Sequence, residues 1–403
     1  MPFRTRILLP ILLLSIALLA ACAPQPIAAA PSGPALTQTF DAALTLAVQS
    51  FPTATATPTI TSTPEPTSTP TLPPPTPTVP RTPSPLPPVF TSSILSTEAQ
   101  PRTYIEDTCQ YLKARWNPNN SAPGTVVMVL MYHSITEDYN PITYDSQVHH
   151  SDLVMTLEHA HEVGFETITA GQLADFLDTN ARIPRRSLLL IVDDRKRKEF
   201  YEEHFGKYLD MWGWKITNAW ISAKDTPEYL WQENQEIVRK GWVDVQAHGV
   251  VHNTPIGPYS SDEYINGELI GSIEAIEKYH GTRPVGFIWP GGGFTKRAVE
   301  LAREAGYRVG FTTNPRGPIM YNWVPQADEV SPAHPLWLPE TSAGDARMTL
   351  PRYWSNDAAY RIDDVIAIGD AAIAEAEKTR AAELDYYDVM CVPKLGPIPT
   401  LIP

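Results

Sequence analysis

One stretch constrains the fold more than any other: Ser187-Leu188-Leu189-Leu190-Ile191-Val192-Asp193-Asp194. An unbroken apolar run without alternation is expected of a strand covered on both faces, as in the middle of a parallel sheet. The run stops at two adjacent carboxylates. A carboxylate taken out of water is costly unless it is paired or bound to a cation. Two acids at the mouth of a buried strand therefore each need a partner. One can face a cation while the other serves as a base.

Strand-like and helix-like segments alternate around it. Residues 126–131 read as a strand that runs into Tyr132-His133. Ser151-Asp152 can cap a helix to about residue 164, and 171–177 reads as a shorter helix. Residues 198–212 read as helix and 215–221 as strand. Pro227 opens a helix to residue 240 from a first-turn position. Residues 242–247 form a strand that ends at His248, and 261–279 form a helix. Residues 284–289 form a strand ending in Pro290-Gly291-Gly292-Gly293. Thr295 caps a helix to residue 305, and 307–313 is a strand. Residues 314–351 read as irregular and 362–383 as a last helix.

Repeated β–α units imply parallel strands, and their regularity favours a closed or nearly closed barrel over an open sheet. Ligands in such folds gather at the carboxyl ends of the strands. His133, the Asp193-Asp194 pair, His248 and the Pro290 turn all stand at such ends. His248-Gly249-Val250-Val251-His252 places two imidazoles four apart, which on a helical turn would share a face. Two histidines and one carboxylate leave room for water on a divalent ion, the pattern of a catalytic Zn²⁺ or a similar metal. A second carboxylate would then take the water's proton.

The formal charge of −14 argues against nucleic acid as a partner, which would call for a basic patch. There is no G-x-S-x-G elbow, and His161-Glu162 has no second histidine at zincin spacing. Trp323, Trp337 and Trp354 lie late in the chain and are candidates either for stacking on sugar rings or for core packing.

The first quarter of the chain has no core. Arg4 and Arg6 precede an apolar run over 7–21, too short to span a membrane comfortably. It ends Leu19-Ala20-Ala21-Cys22, which resembles the lipobox of bacterial lipoproteins. That resemblance implies a signal peptide over 1–21, a lipidated Cys22, attachment to the membrane through the lipid, and an exported domain on the outer face of the cell membrane. From there to about residue 100 the chain is dominated by Pro, Thr, Ser and Ala, too poor in apolar groups to offset the entropy of ordering. As an extended stalk at roughly 3 Å per residue, about 40 such residues would reach on the order of 100 Å. Residues 101–403, with a core over about 125–385, are left as the globular domain. Cys109 and Cys391 flank that domain. They either pair as a disulfide, as an exported context allows, or stay as separate thiols, and spacing leaves both open.

Residues 125–354 resemble the polysaccharide deacetylase family, the NodB-homology domain of carbohydrate esterase family four. Val129-Leu130-Met131-Tyr132-His133-Ser134-Ile135 is similar to the opening strand of its poly-N-acetylglucosamine deacetylase branch. Ile191-Val192-Asp193-Asp194-Arg195-Lys196 is similar to the first motif, TFDDG, and His248 to His252 to the second, H-S/T-x-x-H. The segment 287–313 resembles the third motif with its helix and strand. The resemblance implies an α/β fold, a distorted (β/α)7 barrel, that removes acetate from the amino sugars of a polysaccharide or oligosaccharide. It implies Asp193 as base and Asp194, His248 and His252 as ligands of Zn²⁺, with Co²⁺, Ni²⁺ or Mn²⁺ as alternatives. It also implies that the backbone at Pro290 and Gly291, with Trp289 in the motif, faces the substrate acetyl group.

The departures are specific. Arg195 replaces the glycine of the first motif, and would either weaken metal binding or fold outward. Trp289 replaces a tyrosine. The general acid is either His334 or His133, and Arg352 resembles a late arginine that supports the base. Two other readings stay open: a catalytically degenerate glycan-binding surface protein, and an esterase acting on O-acetyl groups.

Overall fold

The computed structural model describes residues 81–402, so the segment expected to be a signal peptide, Cys22 and most of the Pro/Thr-rich tract lie outside the described residues. Seven parallel strands follow one another in a single curved path. They are β1 (Val126–Tyr132), β2 (Arg186–Asp193), β3 (Ile216–Trp220), β4 (Val243–Ala247), β5 (Gly286–Ile288), β6 (Val309–Phe311) and β7 (Tyr353–Trp354). β7 pairs with the far side of β1, and β2 through β6 follow in order. Leu350 pairs in parallel with Phe311 at the open edge of β6, three residues before β7 meets β1. The segment from Leu350 to Trp354 therefore spans both edges as one short, irregular stave. It closes the distorted (β/α)7 barrel that the sequence led us to expect.

Alternation along each strand separates two apolar clusters. Val126, Met128, Leu130, Leu188, Leu190 and Val192 pack with Leu153 and Leu157 of α2 (His150–Glu162) and with Ile265 and Leu269 of a later helix, Asp262–His280. Val127, Val129, Leu189 and Ile191 face Ala219, Ile288, Val309, Phe311 and Leu350. Burying each such side chain contributes about 1.5–3 kcal/mol, which is why an all-apolar run is stable here and nowhere on a surface. Asp193 has the parity of Leu189 and Ile191, so the inner face delivers it to the barrel mouth.

Some helices follow side-chain caps; α2 does not, since it starts at His150 after His149 with no side-chain cap bond, and Ser151-Asp152 lie inside it. α1 is Thr108–Arg115, and Asp107 accepts from Cys109 N and Gln110 N at its start. α3, Ala170–Thr179, begins with a capping box between Thr169 and Gln172. The expected helix over 198–212 is two, α4 (Lys198–His204) and α5 (Gly206–Trp212), which meet at Phe205 where the backbone leaves the helical region. α6 is Glu228–Arg239, with Pro227 as its cap rather than its first residue. α7 is Asp262–His280, capped by Ser261, which had read as its first residue, and α8 is Lys296–Glu304, capped by Thr295 as expected. α9, Ala358–Tyr386, is longer than its apolar pattern indicated. The region read as irregular holds one further strand, Val324–Ala327, antiparallel to Ala99–Arg102.

That pairing and the preceding segment carry the packed body back beyond residue 100, the boundary that composition indicated. Ser84 donates to Asp385 through both its backbone N (2.8 Å) and its hydroxyl (2.7 Å), and Phe90 O accepts from Trp323 Nε1 at 2.8 Å. Proline favours an extended strap that needs no strand partners, so a Pro-rich segment can lie on a core without a periodic pattern. Cys109 and Cys391 are joined in a disulfide, Cα atoms 5.2 Å apart, tying α1 to the end of the chain. Among the described residues, no helix is long and apolar enough to cross a membrane.

Candidate metal centre and active site

Strand register assembles the site. Tyr132 pairs with Val192, so the next residues, His133 and Asp193, stand side by side. Their contact is 3.2 Å, from His133 Nε2 to Asp193 Oδ2. Trp220 pairs with Ala247, which brings His248 to the same level. Continued alternation would send Asp194 away from Asp193. Instead Asp194 has φ +75°, a left-handed conformation rarely tolerated without compensation, and both carboxylates reach one mouth.

His252 also reaches the site by a left-handed turn. Gly249 has φ +78° and His252 φ +62°, so the segment 248–252 is a loop and not the helical turn its spacing suggested. His252 Nε2 lies 3.1 Å from His248 Nε2 and 3.5 Å from Asp194 Oδ1, and His248 Nε2 is 4.0 Å from that oxygen. Asp194, His248 and His252 are the one group of three ligand residues so gathered among the described residues.

The donor set fits a divalent cation. His248 Nδ1–H donates to Ile288 O at 2.8 Å, which leaves Nε2 as an acceptor. His252 Nδ1 faces Asn253 Oδ1 at 3.3 Å, and donation there leaves its Nε2 an acceptor as well. Two imidazole lone pairs and a carboxylate oxygen then converge with no donor between them. Ligands bound at about 2 Å to one ion are separated by about 3–4 Å, as these are. Burial pushes the His248 imidazole down to about 4, against the pull of Asp193, so it is neutral near pH 7 and able to bind metal.

Asp193 Oδ2 also lies 3.9 Å from His248 Nε2, but its hydrogen-bonding partners are other residues. Arg352 Nη1 donates to Asp193 Oδ1 at 2.8 Å and Oδ2 at 2.9 Å, and Arg352 Nε donates to Thr312 O at 2.6 Å. Burial alone would raise the Asp193 carboxyl. The charge of Arg352 is the main influence that overrides it and holds the group well below the usual carboxylate range. Trp354 stacks on His133 at 6.2 Å between ring centroids, 15° from parallel.

The other expected residues divide between the site, the core and the surface. Pro290 is buried and adjoins Gly249, while Gly291 is exposed in the turn Pro290–Gly292 that follows β5. Trp289 is fully buried and donates from Nε1 to Met348 O at 2.8 Å; it is core, not a substrate contact, because strand alternation turns it outward onto Phe287. His334 sits in an exposed turn, stacked on Trp337 at 3.8 Å, and the structure does not bring it to Asp193. Trp323 is buried against Phe90, so of the three late tryptophans Trp354 alone reaches the site, and there it packs a histidine. Arg195 turns to Thr226, donating to Oγ1 at 2.9 Å; the cation beside the Asp pair is Lys196, 3.5 Å from Asp194 Oδ2. Nothing in the local sequence ranks Lys196 over Arg195. Glu268 was also missed, since it lies sixteen residues beyond His252 with no motif around it.

A parallel barrel carrying two histidines and one of two adjacent carboxylates at its carboxyl mouth defines a β/α-barrel protein with a candidate divalent-metal centre. The polysaccharide deacetylase family model matches residues 180–310. YxkH of Bacillus subtilis (strain 168), a protein named for the polysaccharide deacetylases, is 21% identical over 188 residues, 46% of this chain. The chain spans 64% of that relative's length. Among solved structures, Streptococcus pyogenes deacetylase PplD in complex with acetate is similar at 17% identity and a TM-score of 0.47, covering 60% of this chain and 98% of its own. IcaB from Ammonifex degensii is similar at 16% identity and a TM-score of 0.45, covering 61% of this chain and 97% of its own.

Proposed function

We propose that the chain is a metal-dependent deacetylase that removes N-acetyl groups from amino sugars of a polysaccharide. The observation that carries the reading is the division of labour between neighbours: Asp194 faces two imidazoles, while Asp193 is bound to Arg352 and His133. Such a site supplies metal ligands and a separate base. Asp194, His248 and His252 would hold the ion, Zn²⁺ or a similar divalent metal, which when bound supplies Lewis-acid polarisation of the amide carbonyl and a more acidic water.

The chain's own residues do the rest. Asp193 Oδ2 takes the proton of the attacking water. Arg352 keeps that carboxylate ionised and aimed. His133 Nε2 returns a proton to the nitrogen as the C–N bond breaks, which releases acetate and a free amine. In the turn at Pro290–Gly292 the N–H of Gly291 is the candidate to stabilise the developing oxyanion, since Pro290 has none and Gly292 N donates to Trp289 O. The N-terminal sequence supports export and lipid attachment at Cys22, with the substrate in the cell envelope.

The degenerate, glycan-binding reading rests on Arg195 and on a missing general acid; Arg195 points away from the Asp pair, and His133 stands beside Asp193 as a candidate acid. Esterase action on O-acetyl groups uses the same residues and is separated by substrate. The test is acetate release from N-acetylglucosamine oligomers by the Zn²⁺- or Co²⁺-loaded protein, beside Asp193→Asn. Chelator-sensitive release that the variant lacks supports the reading. A folded, metal-bound protein that releases acetate only from O-acetylated polymers would replace amide hydrolysis with the esterase.

A further inference from the structure

We propose that Glu268 is a positioning residue for the metal centre, setting His252 through the backbone of its loop. The inference rests on the metal reading of Asp194, His248 and His252. Glu268 lies in the second turn of α7 and is 1% exposed. Its Oε2 accepts from Val250 N at 3.0 Å and His252 N at 3.2 Å, and its Oε1 from Val251 N at 2.8 Å. Three successive amides of the ligand loop thus converge on one buried carboxylate, an anion-filled nest.

The two histidines are held in different ways. The His248 ring is fixed by its own N–H on Ile288 O. The His252 ring has Asn253 Oδ1 at 3.3 Å as its neighbour at Nδ1 and is partly exposed. Its place is therefore set by its backbone, which is left-handed at φ +62°. A left-handed histidine persists where its surroundings over-determine it, and the bond from His252 N to Glu268 does so.

Position 249 completes the device. The second motif carries Ser or Thr there, and this chain has glycine. A Cβ at Gly249 would lie 2.4 Å from Glu268 Oε2 and 3.0 Å from Pro290 Cγ, so the carboxylate fills the space a side chain would take. Glu268 and Gly249 are one choice: the acid needs the vacancy, and the loop needs the acid.

The experiment is Zn²⁺ titration of the full chain by calorimetry at pH 7, with urea unfolding of the metal-free protein measured in parallel. Glu268→Gln keeps the shape but offers one oxygen to three amides. Its Zn²⁺ affinity should fall about 10–100-fold, as for residues that orient metal ligands elsewhere. Glu340→Gln is the control for a buried carboxylate that is only structural. Glu340 accepts from Ala327 N at 2.8 Å and Arg316 Nε at 3.0 Å, so its loss should lower the urea midpoint and leave Zn²⁺ affinity within about twofold. Equal affinity in Glu268→Gln and the parent, or equal affinity losses in both variants, would overturn the proposal. Should Glu268→Gln not fold, Gly249→Ala attacks the same contact from the other side, and unchanged affinity there also overturns it. A parent chain that binds no Zn²⁺ removes the underlying metal reading instead, and is recognised before any variant is made.

Discussion

Arg352 Nη1 bridges both oxygens of Asp193, at 2.8 and 2.9 Å, with the two side chains 0% and 1% exposed. Removing one partner of such a pair strands the other charge in the interior. Arg352→Met should therefore lower unfolding free energy by about 3–5 kcal/mol in urea titrations. Arg352→Met combined with Asp193→Asn should recover much of that loss, because no buried charge is left. A single variant as stable as the parent would mean that Arg352 does not compensate Asp193.

Acid sensitivity should have two separable kinds of origin. Burial pushes the His280 and His248 imidazoles down to about 4, from about 6.5 in an unfolded chain, so His280 supplies part of the first. The unfolded chain then takes up the proton first, so stability is complete above pH about 6.5 and declines as pH falls toward about 4. The depressed Asp193 carboxyl acts lower: its contribution is present above the unfolded value of about 3.9 and is lost as pH falls further. Urea midpoints of the metal-free protein at pH 7, 6, 5 and 4 should fall, and His280→Asn should flatten part of the decline above pH 4. An unchanged slope in His280→Asn would place the sensitivity elsewhere.

His133 should matter for turnover and little for folding. It is the imidazole nearest Asp193, at 3.2 Å, while His334 lies in an exposed turn. His133→Asn is expected to cut kcat by about 10²–10⁴, the range for loss of a general acid, with KM nearly unchanged. His334→Asn should leave both constants near those of the parent. The reverse pattern in initial-rate kinetics would return His334 to the role.

Period and parity made the strands and their polar ends legible in the sequence. The apolar run into Asp193-Asp194 marked a covered strand, and the polar residues after each run marked the mouth of the barrel. The stave that closes the barrel was not legible, because Leu350 to Trp354 is too short to show any period. The loop form of residues 248–252 was hidden for another reason: two histidines four apart look the same whether a helix or left-handed turns bring them together. Trp289 misled because its motif position suggests a substrate contact, while its indole is committed to Met348 O. Lys196 and Arg195 are both long cations beside the Asp pair, and only side-chain packing separates them.

The disulfide between Cys109 and Cys391 closes a loop with a sequence separation of 282 residues. Cross-linking so much chain restricts the unfolded state, and loss of such a bond typically costs about 2–4 kcal/mol. The bond joins α1 to the chain end through a small cluster of Leu112 and Tyr387, apart from the barrel clusters. Cys109→Ser with Cys391→Ser should therefore lower the urea midpoint while Zn²⁺ affinity is retained. Equal midpoints for the parent with and without reductant would show that the thiols do not pair in solution.

Two adjacent cations make opposite predictions for metal affinity. Arg195 replaces the glycine of the first motif, yet its guanidinium donates to Thr226 Oγ1 at 2.9 Å and lies 4.0 Å from Asp225. Its charge is directed away from the ligand set, and Arg195→Ala should leave Zn²⁺ affinity within about twofold, since solvent screens a charge turned outward. Lys196 Nζ lies 3.5 Å from Asp194 Oδ2, the oxygen that does not face the histidines. An ammonium there partly neutralises a ligand and repels an incoming cation. The pair is partly exposed, so its effect is on the order of 1 kcal/mol or less. Lys196→Met should tighten Zn²⁺ binding by up to about fivefold. A calorimetric series in which Arg195→Ala tightens binding and Lys196→Met does not would mean that Arg195, not Lys196, is the cation acting on Asp194.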